Sequence, residues 1–131
     1  MSGFRIPYPN EQFSAGKKTA PVKRDSYKRW IATLPCVITK SYGVQVAHLS
    51  FSRPELGHLG RGKQTKASDR WVLPLAVALH EEQHAGSERE FWRRYGIDPH
   101  IACLVLFGIW SDYGRDATEH AERIIKGGIR L

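Results

Sequence analysis

The run His80-Glu81-Glu82-Gln83-His84 narrows what this chain can become more than any other part of it. If Val77 to Glu90 is helical, the two histidines stand one turn apart on one face, a spacing at which two imidazoles reach a single divalent cation. The run is not the start of a zincin site, because no third His or Glu follows at a suitable interval. A lone His on such a helix is most often a surface or satisfied core residue. The meaning of the pair therefore rests on its surroundings.

Upstream, Cys36-Val37-Ile38-Thr39 and Val44-Gln45-Val46-Ala47-His48 read as two short strands joined by Lys40-Ser41-Tyr42-Gly43, a β-hairpin with His48 at its far end. The segment Ser50 to Ser68 follows, glycine-rich and poor in apolar residues, and is expected to be an exposed loop. Within it, Gly57-His58-Leu59-Gly60-Arg61-Gly62-Lys63-Gln64 approaches a phosphate-binding P-loop, but Gln64 stands where Ser or Thr should take magnesium. No buried strand precedes it and no helix opens at Lys63, so a P-loop is excluded. The apolar Trp71-Val72-Leu73-Pro74-Leu75 then leads into the helix that carries His80 and His84.

A hairpin ending in His, a loop, and a helix bearing HxxxH follow one another in the order of a ββα-metal nuclease site. Phosphodiester hydrolysis needs a base to take a proton from water, and an imidazole with an ordinary pKa near about 6.5 suits that work at neutral pH. It also needs a cation against the phosphate and leaving oxygens, where negative charge accumulates. His48 is the candidate base, and His80 and His84 are the candidate anchors of the cation.

Composition sets the frame. With 131 residues, 41% of them apolar and 25% charged, the chain makes one domain with a modest core. Residues 1–22 are expected to be a basic, disordered arm and residues 23–131 a single domain. Of the net charge of +7, most sits early: residues 1–30 carry seven Lys or Arg against two acidic residues. A second surplus, Arg53, Arg61, Lys63, Lys66 and Arg70 against Glu55 and Asp69, lies beside the histidines. Such a distribution suits a polyanion, and equally serves solubility. The apolar stretch Ile101 to Trp110 is too short to cross a bilayer and no signal peptide is apparent, so a cytoplasmic, soluble protein is expected. Cys36 and Cys103 are expected to be free thiols.

Helices are predicted over Arg24 to Thr33, with Tyr27, Trp30, Ile31 and Leu34 on one face and Leu34-Pro35 ending it; from Asp98-Pro99 to about Trp110; and over Asp116 to Lys126. Gly96 is expected to stop the region packed by Phe91, Trp92 and Tyr95. His100 and His120 are read as surface residues.

Ala47-His48-Leu49, the glycine-rich segment, Lys66-Ala67-Ser68-Asp69-Arg70-Trp71-Val72-Leu73-Pro74-Leu75, His80-Glu81-Glu82-Gln83-His84, then Gly86…Phe91-Trp92 and Gly96-Ile97-Asp98-Pro99 together resemble the phage-associated HNH (ββα-metal) endonuclease family related to the recombination-enhancement nuclease Ref. The likeness covers roughly Leu34 to Pro99. It implies an α+β fold with a small HNH or treble-clef-like core and flanking helices, a divalent cation (Mg, Mn or Zn), and DNA cleavage in phage recombination or replication, with a host recombinase filament as a further partner. It places His48 on the general base, His80 and His84 on metal positions, and Asp69 where the middle Asn holds the loop and orients the base. Arg61, Lys63, Lys66 and Arg70 would then hold the DNA backbone.

The chain departs from the family pattern twice. Ala47 stands where a metal-ligating Asp or His usually precedes the base, which implies a weak, exchangeable cation site. Positions 36, 39, 76 and 79, where relatives carry the cysteines of a structural zinc, read Cys, Thr, Ala and Leu, so no structural zinc is expected. Besides a nuclease, an inactive DNA-binding module of the same fold and a helical interaction protein with incidental histidines remain open.

Overall fold

Where the sheet forms is decided by the apolar run before the HxxxH helix. In the computed structural model, which describes residues 24–59 and 69–128, strand β1 (Val44–His48) pairs antiparallel with strand β2 (Val72–Ala76). The register runs from Val44 opposite Ala76 to His48 opposite Val72. Val72, Leu73, Pro74 and Leu75 are all buried, because helices cover β2. Pro74 is tolerated in the strand because its carbonyl faces away from β1, accepting the Val37 N–H at 3.1 Å; its missing N–H therefore lies on the outer edge.

The predicted partner of β1 is thus replaced. Cys36–Thr39 is a turn, not a strand. Three of its amides are taken up locally, Cys36 N–H donating to Ser41 O at 2.8 Å and Ile38 and Thr39 N–H each approaching Cys36 Sγ at 3.4 Å, while Val37 N–H alone reaches β2. Lys40 closes the turn in the left-handed region at φ 65. Burial pushes the Cys36 thiol up, but hydrogen bonds from Thr39, Ala76 and Ile38 outweigh it and hold the thiol below its ordinary value. Cys36 and Cys103 are both buried free thiols.

The helices are α1 (Arg24–Ile31), α2 (Val77–His84), α3 (Glu88–Tyr95), α4 (Pro99–Tyr113) and α5 (Ala117–Lys126). The helix expected over Val77 to Glu90 breaks after His84. Ser87 starts a new helix by accepting the Glu90 N–H on its hydroxyl at 3.3 Å, a capping bond that competes with continuation of α2. Gly96 ends α3 in the left-handed conformation at φ 70, and Asp98 caps α4 through the Ile101 N–H, with Pro99 at its first turn.

The core is one cluster. Tyr27 and Ile31 of α1, Leu73 and Leu75 of β2, Phe91 and Trp92 of α3, Leu106 of α4 and Ile125 of α5 are buried in it. Trp30 Nε1 donates to Thr118 Oγ1 at 2.9 Å, tying the first helix to the last. The result is a small α+β domain in which α2 leaves directly from β2 and lies along β1 and β2. The arm 1–22 lies outside the described residues.

Candidate active site

His48 is the last residue of β1 and its side chain is 38% exposed. Its Nε2 lies 3.2 Å from Asp69 Oδ1, and Asp69 Oδ2 lies 3.5 Å from Lys28 Nζ of α1. A carboxylate accepts only, so the proton of a neutral His48 sits on Nε2 and Nδ1 keeps the lone pair. An imidazole held in this way is oriented to receive a proton at Nδ1. Lys28 in turn fixes the carboxylate, an interaction the sequence did not suggest because 41 positions of chain, counted from 28 to 69, separate the two.

His80 and His84 do stand together on α2, with ring centroids 4.9 Å apart. The His80 ring is anchored from β1: Nδ1–H donates to Gln45 Oε1 at 2.8 Å, which leaves Nε2 as the lone-pair nitrogen. A metal-binding imidazole is commonly held by such a bond on its other nitrogen. Burial pulls His80 below the ordinary imidazole value, and the charges of His84 and His48 pull the same way, against Glu81. His80 is therefore neutral at physiological pH, the form that binds a cation.

The donor set is small. Among the described residues no three His, Cys, Asp or Glu side chains form a ready-made metal-binding group. Ala47 is fully buried and packs in the core. The pair that could hold a cation is His80 and His84, two imidazoles on one face of α2.

Of the expected backbone-holding residues, Arg61, Lys63 and Lys66 lie outside the described residues. Arg70 is described, and its guanidinium stacks over Phe107 at 5.1 Å and Trp71 at 5.8 Å.

His100, expected at the surface, is instead fully buried. Its Nε2 lies 3.0 Å from Phe51 O and 2.9 Å from His58 Nδ1, and His58 stacks on Trp71 with centroids 4.9 Å apart. Position 100 falls in the first turn of α4 on the face toward the loop, and only the presence of that loop buries it. His120 is half-buried, with its ring 4.1 Å from that of Tyr113.

Sequence reading also missed Gln45, Gln83 and Glu88. Gln83 is the one available signal: a polar residue beside the histidines of HxxxH, yet 2% exposed.

The family model described as "Protein of unknown function (DUF968)" matches residues 7–107. The chain is also similar to the "Uncharacterized protein YdfU" of Escherichia coli (strain K12), 32% identical over 109 residues that cover 76% of this chain. The match spans 29% of that protein's length. No solved structure matches.

Proposed function

We propose that this chain, which belongs to the DUF968 family, is a divalent-metal-dependent DNA endonuclease with an HNH-like ββα-metal site. One observation carries the reading: an imidazole at the end of a strand, held by Asp69 at 3.2 Å, whose partner strand runs directly into a helix on which the His80 and His84 rings stand 4.9 Å apart. Two antiparallel strands running straight into the helix supply the ββα order, although the second strand is Val72–Ala76 and not the segment expected from the sequence.

In the proposed reaction His48 Nδ1 takes a proton from water as the water attacks phosphorus, and Asp69 steadies the imidazolium that forms. A cation held by His80 and His84 would supply charge stabilisation at the phosphate and leaving oxygen. Gln45 keeps His80 turned with its lone pair outward. By the HNH analogy the products carry 5′-phosphate ends.

DNA is the proposed substrate, cut in phage recombination or replication in the host cytoplasm, with a recombinase filament as a proposed partner. Arg61, Lys63 and Lys66 of the basic loop are the proposed backbone contacts. A groove of about 470 Å³ just beyond His48 in the chain is lined by Phe51, Arg53, Arg89, Trp92, Arg93 and Asp98, with Arg53 paired to Glu55 at 2.8 Å and to Asp98 at 3.3 Å and Arg93 to Glu90 at 2.8 Å. Arg89 lies 4.9 Å over the Phe51 ring there. Guanidinium groups beside an aromatic face suit a nucleic-acid strand.

The buried Ala47 in place of a ligand favours a second reading, a DNA-binding module that has lost activity. Plasmid nicking with manganese or magnesium decides between them. Wild type should nick, and His48→Ala should lose about 10²–10⁴-fold in rate, the usual worth of a general base. DNA binding without nicking above the level of His48→Ala and His84→Ala would leave the binding module instead.

A further inference from the structure

The register of the ribbon sets a geometric problem. α2 begins where Ala76 pairs with Val44, whereas His48 pairs with Val72, at the opposite end of the ribbon. The two ends of α2 are thus differently held. Its start is joined covalently to β2, and its His84 end meets β1 only through side chains.

Gln83 makes that junction. Its Nε2 donates to the main-chain carbonyl of His48 at 3.2 Å and to Glu88 Oε2 at 2.7 Å. Both partners accept only, so nitrogen and oxygen cannot be exchanged. Glu88, in the first turn of α3, gathers the other side: Oε1 accepts the Ser50 N–H at 3.0 Å and the Ser50 hydroxyl at 2.5 Å, and Oε2 accepts Trp92 Nε1–H at 3.0 Å. The residues on both sides of Leu49 are therefore tied to one buried amide and one carboxylate. Among the described residues Gln83 Oε1 is buried with no hydrogen-bond partner, a cost the site carries while the nitrogen holds both acceptors.

We infer that Gln83 and Glu88 are positioning residues that set the distance from His48 to the His80–His84 pair. The inference rests on the nuclease reading, since it assigns the latch a role only if those three rings act together. Neither residue touches substrate. Their contribution is to lock the strand end that bears the base onto the helix that bears the cation's anchors.

Two variants, Gln83→Leu and the milder Glu88→Asp, test the assignment in the full-length protein. Manganese is titrated in each while NMR follows broadening of the His48 ring signals, alongside manganese affinity and nicking kinetics. Because both anchors lie on α2 itself, manganese affinity should stay within about twofold. Broadening at His48 should fall sharply, and kcat should drop about 100-fold with KM unchanged, as for a misplacement on the order of 1 Å. If Gln83→Leu does not fold, Glu88→Asp carries the test alone. Wild-type broadening and wild-type kcat in a folded variant would overturn the latch and leave the nuclease reading standing. A wild-type protein that broadens at His48 but never nicks would overturn the nuclease reading alone. One in which manganese leaves His48 unaffected would overturn both.

Discussion

Acidification from pH 7.5 to 5.5 should destabilise the protein through His58 and His100. The argument starts from hydrogen-bond direction. His100 is fully buried, and its Nε2 faces the Phe51 carbonyl at 3.0 Å, which accepts only; the ring proton is therefore on Nε2. His58 Nδ1, 2.9 Å away, must then be an acceptor. A proton on His58 Nδ1 would set two N–H groups against each other. One on His100 Nδ1, which is buried without a partner among the described residues, would find no acceptor there. Burial accordingly holds both imidazoles below their ordinary value; Arg53 adds to this at His100, while Glu88 near His58 and Asp98 near His100 oppose it. The unfolded chain takes up protons as pH falls through about 6.5 and the folded chain lags behind. Stability is thus fully present above about 6.5 and is lost as pH falls from there toward the depressed folded values. Within that window each ring costs at most about 1.4 kcal/mol per pH unit, the limit for one proton taken up on unfolding. Against a total of about 5–15 kcal/mol the loss is easily measured. Urea unfolding midpoints at pH 7.5, 6.5 and 5.5 check it, with the double variant His58→Gln/His100→Gln as reference. Equal pH dependence in wild type and variant would refute the tautomer argument.

Gln45→Leu should weaken manganese binding by about 10–100-fold, because His80 loses the bond that turns its lone pair outward, and calorimetric titration measures this. Leu73→Ala in the fully buried centre of β2 should cost about 2–5 kcal/mol in urea unfolding. Replacing Lys63 and Lys66 together by Ala should weaken binding to all DNA sequences alike and flatten the salt dependence by about two phosphate contacts; a change confined to particular sequences would show base reading instead.

The local signals in the sequence were strong where one short stretch contains the whole cause. Gly96 stops α3 because a left-handed residue is needed there, and Asp98-Pro99 opens α4 because the cap and the fixed proline φ act within one turn. The pairing of His80 with His84 is likewise a consequence of helical spacing. The continuous helix expected over Val77 to Glu90 divides in two because the Ser87 hydroxyl accepts the Glu90 N–H and starts α3.

What the tertiary structure alone decided is which distant groups meet. Val37-Ile38-Thr39 and Val72–Leu75 are comparable strand-formers, and β1 pairs with the second, which helices bury, while the Cys36 turn bonds within itself and gives only the Val37 N–H to the outer edge of β2. His100 looks like any polar residue in a first helical turn until the loop carrying Phe51 and His58 covers it. Asp69 reaches His48, and Gln83 reaches its carbonyl, only through that same folding-back. Helix and turn chemistry depends on neighbours within a few positions, so residue order determines it. Burial and long-range hydrogen bonds depend on which apolar surfaces exclude water together, and no single segment of this chain contains that information.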